Sequence, residues 1–142
     1  MDGMVMSGIL EGINVLDLSR ILAGPYTAQM LSDLGANVTK IEAPWGDDTR
    51  GWGPPFATDF DGERVAAYFL SCNRGKTILR MNLKDEKEKL IDLMSKADVV
   101  VENFKPGTLE RIVGTLPKDT IICSISGYGA TGPRRNEPGY DL

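Results

Sequence analysis

Three glycines after an apolar run raise the first chemical question. Gly127, Gly129 and Gly132 spell G-x-G-x-x-G directly behind TIICSIS, a stretch of strand formers. In a dinucleotide site that spacing lets the backbone approach a pyrophosphate. A helix must then open at the third glycine so that its N-terminus meets the phosphates. Here Pro133 and the polar RRNEPG follow, without apolar periodicity. The stretch reads as a loop and not as an NAD or FAD turn. RGKT at 74–77 invites a P-loop reading. That pattern needs a glycine where Leu70 stands and a helix after Thr77, where TILRMN reads as a strand. Arg74 and Lys76 are therefore expected in a solvated turn.

Lys84 and Arg111 are the cations with most to explain. Lys84 stands just ahead of a helix that opens with acids, and Arg111 is expected in the first turn of the helix after ENFKPG. A cation at a helix start opposes the dipole slightly, and a bound anion would account for it. Two ordinary surface cations would leave the same pattern. The chain has no histidine, so no serine has a histidine base, and no carboxylate pair is marked by spacing. Cys72 and Cys123 are isolated, without C-x-x-C; no metal site is expected, and both are read as buried thiols of a reducing compartment. A net charge of −4 argues against a nucleic-acid surface. No apolar run approaches the roughly 20 residues of a membrane span. MDGMVMSGILEG lacks the basic start and apolar core of a signal peptide. These features point to a cytoplasmic location.

The elements that must position such residues follow from periodicity. With 142 residues and 42% apolar content, one domain with a real core is expected. INVLDL reads as a strand. GPYTAQMLSDLG reads as a helix with Pro25 in its first turn, Ala28, Leu31 and Leu34 on one face and Gly35 as its C-terminal glycine, and NVTKIEA as the next strand. Residues 43–64 break the pattern; rich in glycine, proline and aspartate, they form an expected long loop whose aromatic residues pack against something. VAAYFLSCN fits a short helix or a strand. KDEKEKLIDLMSKA is the clearest helix, with capping-box spacing at Asp85 and Glu88 and a face of Leu90, Met94 and Ala97. DVVVEN is a buried strand, PGTLERIV a short helix with Thr108 as N-cap, and TIICSIS the last strand. The class is α/β, with a Rossmann-like, mainly parallel sheet and flanking helices. The C-terminal strand ends then carry SRILAGP, EAPWGDD, ENFKPG and SGYGATGP, four glycine- and proline-rich turns at one rim where a ligand could meet backbone amides.

Several long stretches, in order, resemble the class III CoA-transferases, the group of formyl-CoA transferase and carnitine CoA-transferase. They are LEGINVLDLSRILAGPYTAQMLSDLGANVTKIEAPWGDDTRGWGPPF, AYFLSCNRGK, MNLK, ADVVVENFKPGTLER and SISGYGATGP with PGYDL. The resemblance runs from about Leu10 to Leu142 and implies that residues 1–142 are the N-terminal portion of that family's large domain. It implies an enzyme that acts on CoA thioesters, with coenzyme A as substrate rather than as a resident cofactor. An aspartate attacks the acyl-CoA thioester, an acyl-aspartyl anhydride forms, and CoA passes to an acceptor carboxylate. It also implies an interlaced homodimer. Carried over by residue, the CoA contacts are Ala23 near the thiol end, Lys84, Asn103, Phe104, Arg111 and Tyr128, the last equally explained as a packed aromatic of its loop. Three departures stand out. Leu22 occupies the place of a glutamine near the acyl group, which leans towards a larger acyl chain. RIVGTLPKDTIICS is a shorter connection than usual. The nucleophilic aspartate is expected beyond Leu142, so Asp141 is not assigned that role and the chain alone is expected to be inactive. An acyl-CoA racemase of the same superfamily would carry a histidine where Tyr140 stands, and a non-catalytic CoA- or partner-binding module is the remaining alternative.

Overall fold

The computed structural model describes residues 8–59 and 61–139. In chain order its elements are β1 (Asn14–Asp17), α1 (Ala23–Asp33), β2 (Asn37–Glu42), β3 (Phe56–Thr58), β4 (Arg64–Ala66), α2 (Ala67–Ser71), β5 (Thr77–Arg80), α3 (Lys87–Ser95), β6 (Val99–Glu102), α4 (Thr108–Val113) and β7 (Ile121–Ser124), with a 3-10 turn at Asp48–Gly51. Five strands pair in the order β5-β2-β1-β6-β7, and every pair is parallel. This is the α/β, mainly parallel sheet expected from the sequence; INVLDL, NVTKIEA, DVVVEN and TIICSIS supply four of its strands and TILRMN the fifth.

Both sheet faces are covered, which is why the strands read as apolar runs. Leu16, Leu18, Ile41 and Val100 meet Leu90 and Met94 of α3 and Leu109 and Val113 of α4. On the opposite face Val15, Val38 and Val101 pack on Ala28 of α1. α1 ends in a Schellman motif: Gly35, at φ 103°, donates to the Ser32 carbonyl at 2.9 Å, and Ala36 donates to that of Leu31 at 3.0 Å.

Local details correct several expectations. The start of α3 does not use Asp85 and Glu88 as a capping box. Its N-cap residue is Glu86, without a side-chain cap bond, and Asn82 organises the approach instead. The Asn82 Oδ1 accepts from the Lys84 N–H at 3.1 Å, and its own N–H donates to Glu86 Oε1 at 3.0 Å. At α4 the cap is Gly107, left-handed at φ 77°, and Thr108 is the first helical residue. VAAYFLSCN divides into β4 and α2. Residues 43–64 are not one loop: the 3-10 turn and β3 lie within them, and β3 pairs antiparallel with β4, which begins at Arg64. Their aromatics pack in part, with Trp52 edge-on to Tyr68 at 5.5 Å and Arg64 over the Phe56 ring at 3.6 Å, while Trp45 is exposed. Leu34 does not share the core face of α1. It lies exposed in an outer row with Leu22, Tyr26 and Met30. Cys72 is buried as expected, but Cys123 is only half-buried.

Leu90 and Met94 are each 0% exposed and tie α3 to the sheet. Leu90→Ala is expected to cost about 2–5 kcal/mol in urea unfolding, from lost transfer energy plus a cavity. A cost below about 1 kcal/mol would contradict this packing.

Candidate functional site

The sheet order places β1 and β6 side by side while β2 and β7 lie on opposite flanks. The chain therefore leaves the C-terminal ends of β1 and β6 in diverging directions. That is the switch point at which open α/β sheets form a crevice. Asn103, just past β6, ties the two turns together: its Oδ1 accepts from the Arg20 N–H at 2.9 Å and its Nδ2 donates to the Arg20 carbonyl at 2.7 Å. Buried Glu102 accepts from the Phe104 N–H at 2.7 Å and sets the next residue.

A cleft of about 550 Å³ opens here, with Ala23, Asn103, Phe104 and Tyr128 among its walls. Its far side is the glycine loop, which remains non-helical after Pro133, as the sequence predicts. Packing requires a glycine at 127: a Cβ there would lie 2.6 Å from the Gly139 Cα. Arg134 lies 3.8 Å over the Tyr128 ring and also donates to its hydroxyl, so Tyr128 is a packed aromatic as well as a cleft wall. A second cleft of about 260 Å³ is walled by Leu18, Ile41, Met81 and Ile112 and rimmed by Trp45 and Lys84. Phe104 lines both.

Five of the six expected contact residues thus gather around two adjoining clefts. Arg111 does not line either. α4 has only six residues, so Arg111 stands in its last turn, where a cation suits the dipole, and it donates to Thr108 Oγ1 at 3.0 Å. The expectation of a first-turn cation is corrected, and with it the dipole argument for an anion there. Tyr140 and Asp141 lie outside the described residues.

The sequence reading missed a set of buried charges beneath the Ser19–Gly24 turn. Lys76 is not in a solvated turn. Its side chain is 0% exposed, and Nζ donates to Asp17 Oδ2 at 2.8 Å, the Pro25 carbonyl at 2.7 Å and Asn73 Oδ1 at 2.9 Å. Arg74 does fit the expectation, exposed and paired with Asp33. Asp17 Oδ1 in turn accepts from the Ser19 N–H at 2.9 Å and from its hydroxyl. Lys40, also 0% exposed, donates to the Ser19 carbonyl at 2.8 Å and pairs with Asp47 at 3.1 Å, a contact too poorly aligned to count as a hydrogen bond. Thr49 donates twice to the other Asp47 oxygen. Next to it, Arg50 grips buried Glu42 with two bonds of 2.8 and 2.9 Å and lies 3.9 Å over the Phe69 ring. The available signals were Asp17 and Lys40, charged residues placed inside otherwise apolar strands.

Burial pushes the Asp47 carboxyl up, but Lys40 and the Thr49 bonds outweigh it and hold the carboxyl below its ordinary value. Burial lowers the Lys76 ammonium against the opposing pull of Asp17. Burial raises the Cys72 thiol. Among the described residues, no group of three or more Cys, Asp or Glu is placed to hold a metal ion, and no helix is long and apolar enough to cross a membrane.

A family model described as "CoA-transferase family III" matches residues 10–142. The chain belongs to that family. A mouse protein named succinyl-CoA:glutarate CoA-transferase is 45% identical over 141 residues, covering 93% of this chain and 31% of its own length. A Haloarcula marismortui protein named succinyl-CoA:mesaconate CoA-transferase is 45% identical over 147 residues, with coverages of 95% and 37%. The crystal structure of a CAIB/BAIF family protein from Brucella suis superposes with a TM-score of 0.87 at 47% identity, covering 95% of this chain and 38% of that one. This family III chain therefore spans about a third of the length of these relatives. Its glycine loop matches the family model along with the rest of residues 10–142.

Because the folded Asp47 carboxyl is held below its ordinary value of 3.8, its share of stability is full above that value and lost as pH falls through the folded one. Unfolding followed from pH 6 to pH 2 should show an acid loss that is shallower in Asp47→Asn. Identical acid limbs would refute it.

Proposed function

We propose that this chain forms the coenzyme A-binding part of an enzyme that moves CoA between an acyl thioester and a carboxylic acid. The observation that carries this is the switch-point crevice. Ala23, Asn103, Phe104 and Tyr128 face one cleft, and Lys84 rims its neighbour across the shared wall of Phe104. A long ligand with a reactive thioester at one end and a charged nucleotide at the other suits two adjoining clefts. We assign Ala23 to the thioester end, and Lys84 and Arg111 to the phosphates or nucleotide.

Within that reading a carboxylate attacks the thioester carbonyl and expels the CoA thiolate, leaving an acyl-aspartyl anhydride; the thiolate attacks the aspartyl carbonyl and frees the donor as its carboxylate; the acceptor carboxylate attacks the aspartyl thioester so formed and expels the thiolate again; and the thiolate takes the acceptor carbonyl of the new anhydride, which makes the product thioester and returns the aspartate. The described aspartates nearest the crevice do not suit the nucleophile's role. Asp17 and Asp47 are buried and ion-paired, and Asp48 is held by Arg20. The nucleophile is assigned to polypeptide beyond Leu142. Two of the relatives carry names that pair succinyl-CoA with a dicarboxylate, so a short dicarboxylyl-CoA is the first donor to try. An interlaced homodimer and a cytoplasmic location belong to the same proposal; the exposed apolar row Leu22, Tyr26, Met30 and Leu34 supports further polypeptide covering α1.

Two measurements test this. In a protein extended to the length of its relatives, Lys84→Ala and Arg111→Ala should each weaken CoA binding by about 1–3 kcal/mol if they form charge-assisted bonds. Arg111 discriminates, since it contributes only if the ligand runs out of the clefts along α4; unchanged affinity in both variants refutes the assignment. The 142-residue chain alone should show no succinyl transfer and no hydroxylamine-trapped adduct. An adduct on any of its aspartates would place the nucleophile inside it.

A further inference from the structure

The Ser19–Gly24 turn is strained and held from beneath. Ile21 has φ 72°, a left-handed conformation that a β-branched residue avoids. Such a residue persists only where its surroundings over-determine it. Here they do. Gly24 sits directly on Ser19, so that a Cβ at Gly24 would lie 2.2 Å from the Ser19 Cβ. The Cys72 thiol contacts the Ile21 carbonyl at 3.6 Å. Below the turn, the two enclosed lysines described above hold its first residue and the helix start behind it, directly or through Asp17: Lys40 donates to the Ser19 carbonyl, Asp17 accepts from the Ser19 N–H, and Lys76 donates both to Asp17 and to the Pro25 carbonyl.

We infer that Lys76 is a positioning residue. Through Asp17 and Pro25 it locks the Ser19–Gly24 turn in its strained form and so fixes the first residues of α1, Ala23 among them, against the larger cleft. Lys76 itself touches neither Ala23 nor that cleft's wall, so its effect on a ligand is indirect. The catalytic consequence rests on the function proposed above; the locking of the turn does not.

The geometry explains why a lysine is used. Three acceptors converge on one nitrogen, and an ammonium has three donors. A shorter or apolar side chain frees the Pro25 carbonyl and leaves the Asp17 carboxylate enclosed without a counter-charge. Lys76→Met alone is therefore expected to unfold the chain or nearly so. The informative variant is Asp17→Asn with Lys76→Met, which removes both charges and keeps an acceptor for Ser19.

The test is amide hydrogen exchange on the 142-residue chain and on the double variant, at one pH. The reporters are the Arg20 N–H, held by Asn103, and the Tyr26 N–H, held by Leu22; Val100 and Val101 of β6 serve as the core reference. The expected result is exchange at least tenfold faster at Arg20 and Tyr26, with the core reference changed less than twofold. Equal protection at all four positions overturns the inference, and so does uniform loss. In the protein extended to its relatives' length, the same double variant should lower kcat at least tenfold with KM for succinyl-CoA within threefold. Wild-type kcat overturns the positioning role. If the wild-type protein shows no transfer at all, the proposed function fails, while the exchange result still decides whether Lys76 locks the turn.

Discussion

The structure depends on how four buried charges are disposed at the C-terminal ends of β1 and β2. Asp17 with Lys76 and Lys40 with Asp47 sit where the sheet would otherwise be apolar. Desolvating such groups is costly, and their mutual attraction offsets that cost only when the remaining donors and acceptors are used. Here nearly all are: Ser19, Pro25, Asn73 and Thr49 complete the set. A pair of this kind adds little over an apolar core in stability, but removing one partner costs about 3–5 kcal/mol. Its main effect is geometric. The pairs admit one path for the chain between β1 and α1, and that path forms an edge of the larger cleft.

The second constraint is the switch point. A parallel sheet whose chain leaves adjacent strands in opposite directions must leave a gap at that place. In this chain Asn103 spans the gap through the Arg20 backbone, and Phe104 divides the space beyond it in two. The ion pairs set the β1 side, Glu102 sets the β6 side, and the glycine loop closes the third side through the contact of Gly127 with Gly139.

What could be read from the sequence follows the physics of each element. The sheet strands and α3 were legible because burial on both faces writes apolar runs and a helical period into the chain. The rim was legible because turns at strand ends need glycine and proline. The candidate site's position follows from these two together, and five of the six residues expected to contact CoA line the two clefts. What failed was local or tertiary. Arg111 was misplaced because helix length decides which end a residue occupies, and α4 stops after two turns at Gly114. The start of α3 carries no side-chain cap, and Asn82 organises the turn before it, since side-chain partners compete on geometry that spacing alone does not fix. Lys76 reads as a surface cation in the sequence because its partners, Asp17 and Pro25, lie more than 50 residues away. Ile21 gave no sign of its left-handed backbone, which only its neighbours impose.

The bridge from Asn103 to Arg20 joins residues 83 apart in sequence, and it closes over three intervening sheet-spanning crossings rather than within one hairpin. Closing a contact of such long range costs chain entropy that a hairpin does not. The crevice therefore has no local precursor: a partly folded chain with β1, α1 and β2 in place still lacks its second wall. Occupancy of the cleft and completion of the sheet are one equilibrium, so a ligand held there stabilises the whole fold according to its concentration over its Kd, even though it touches only the rim.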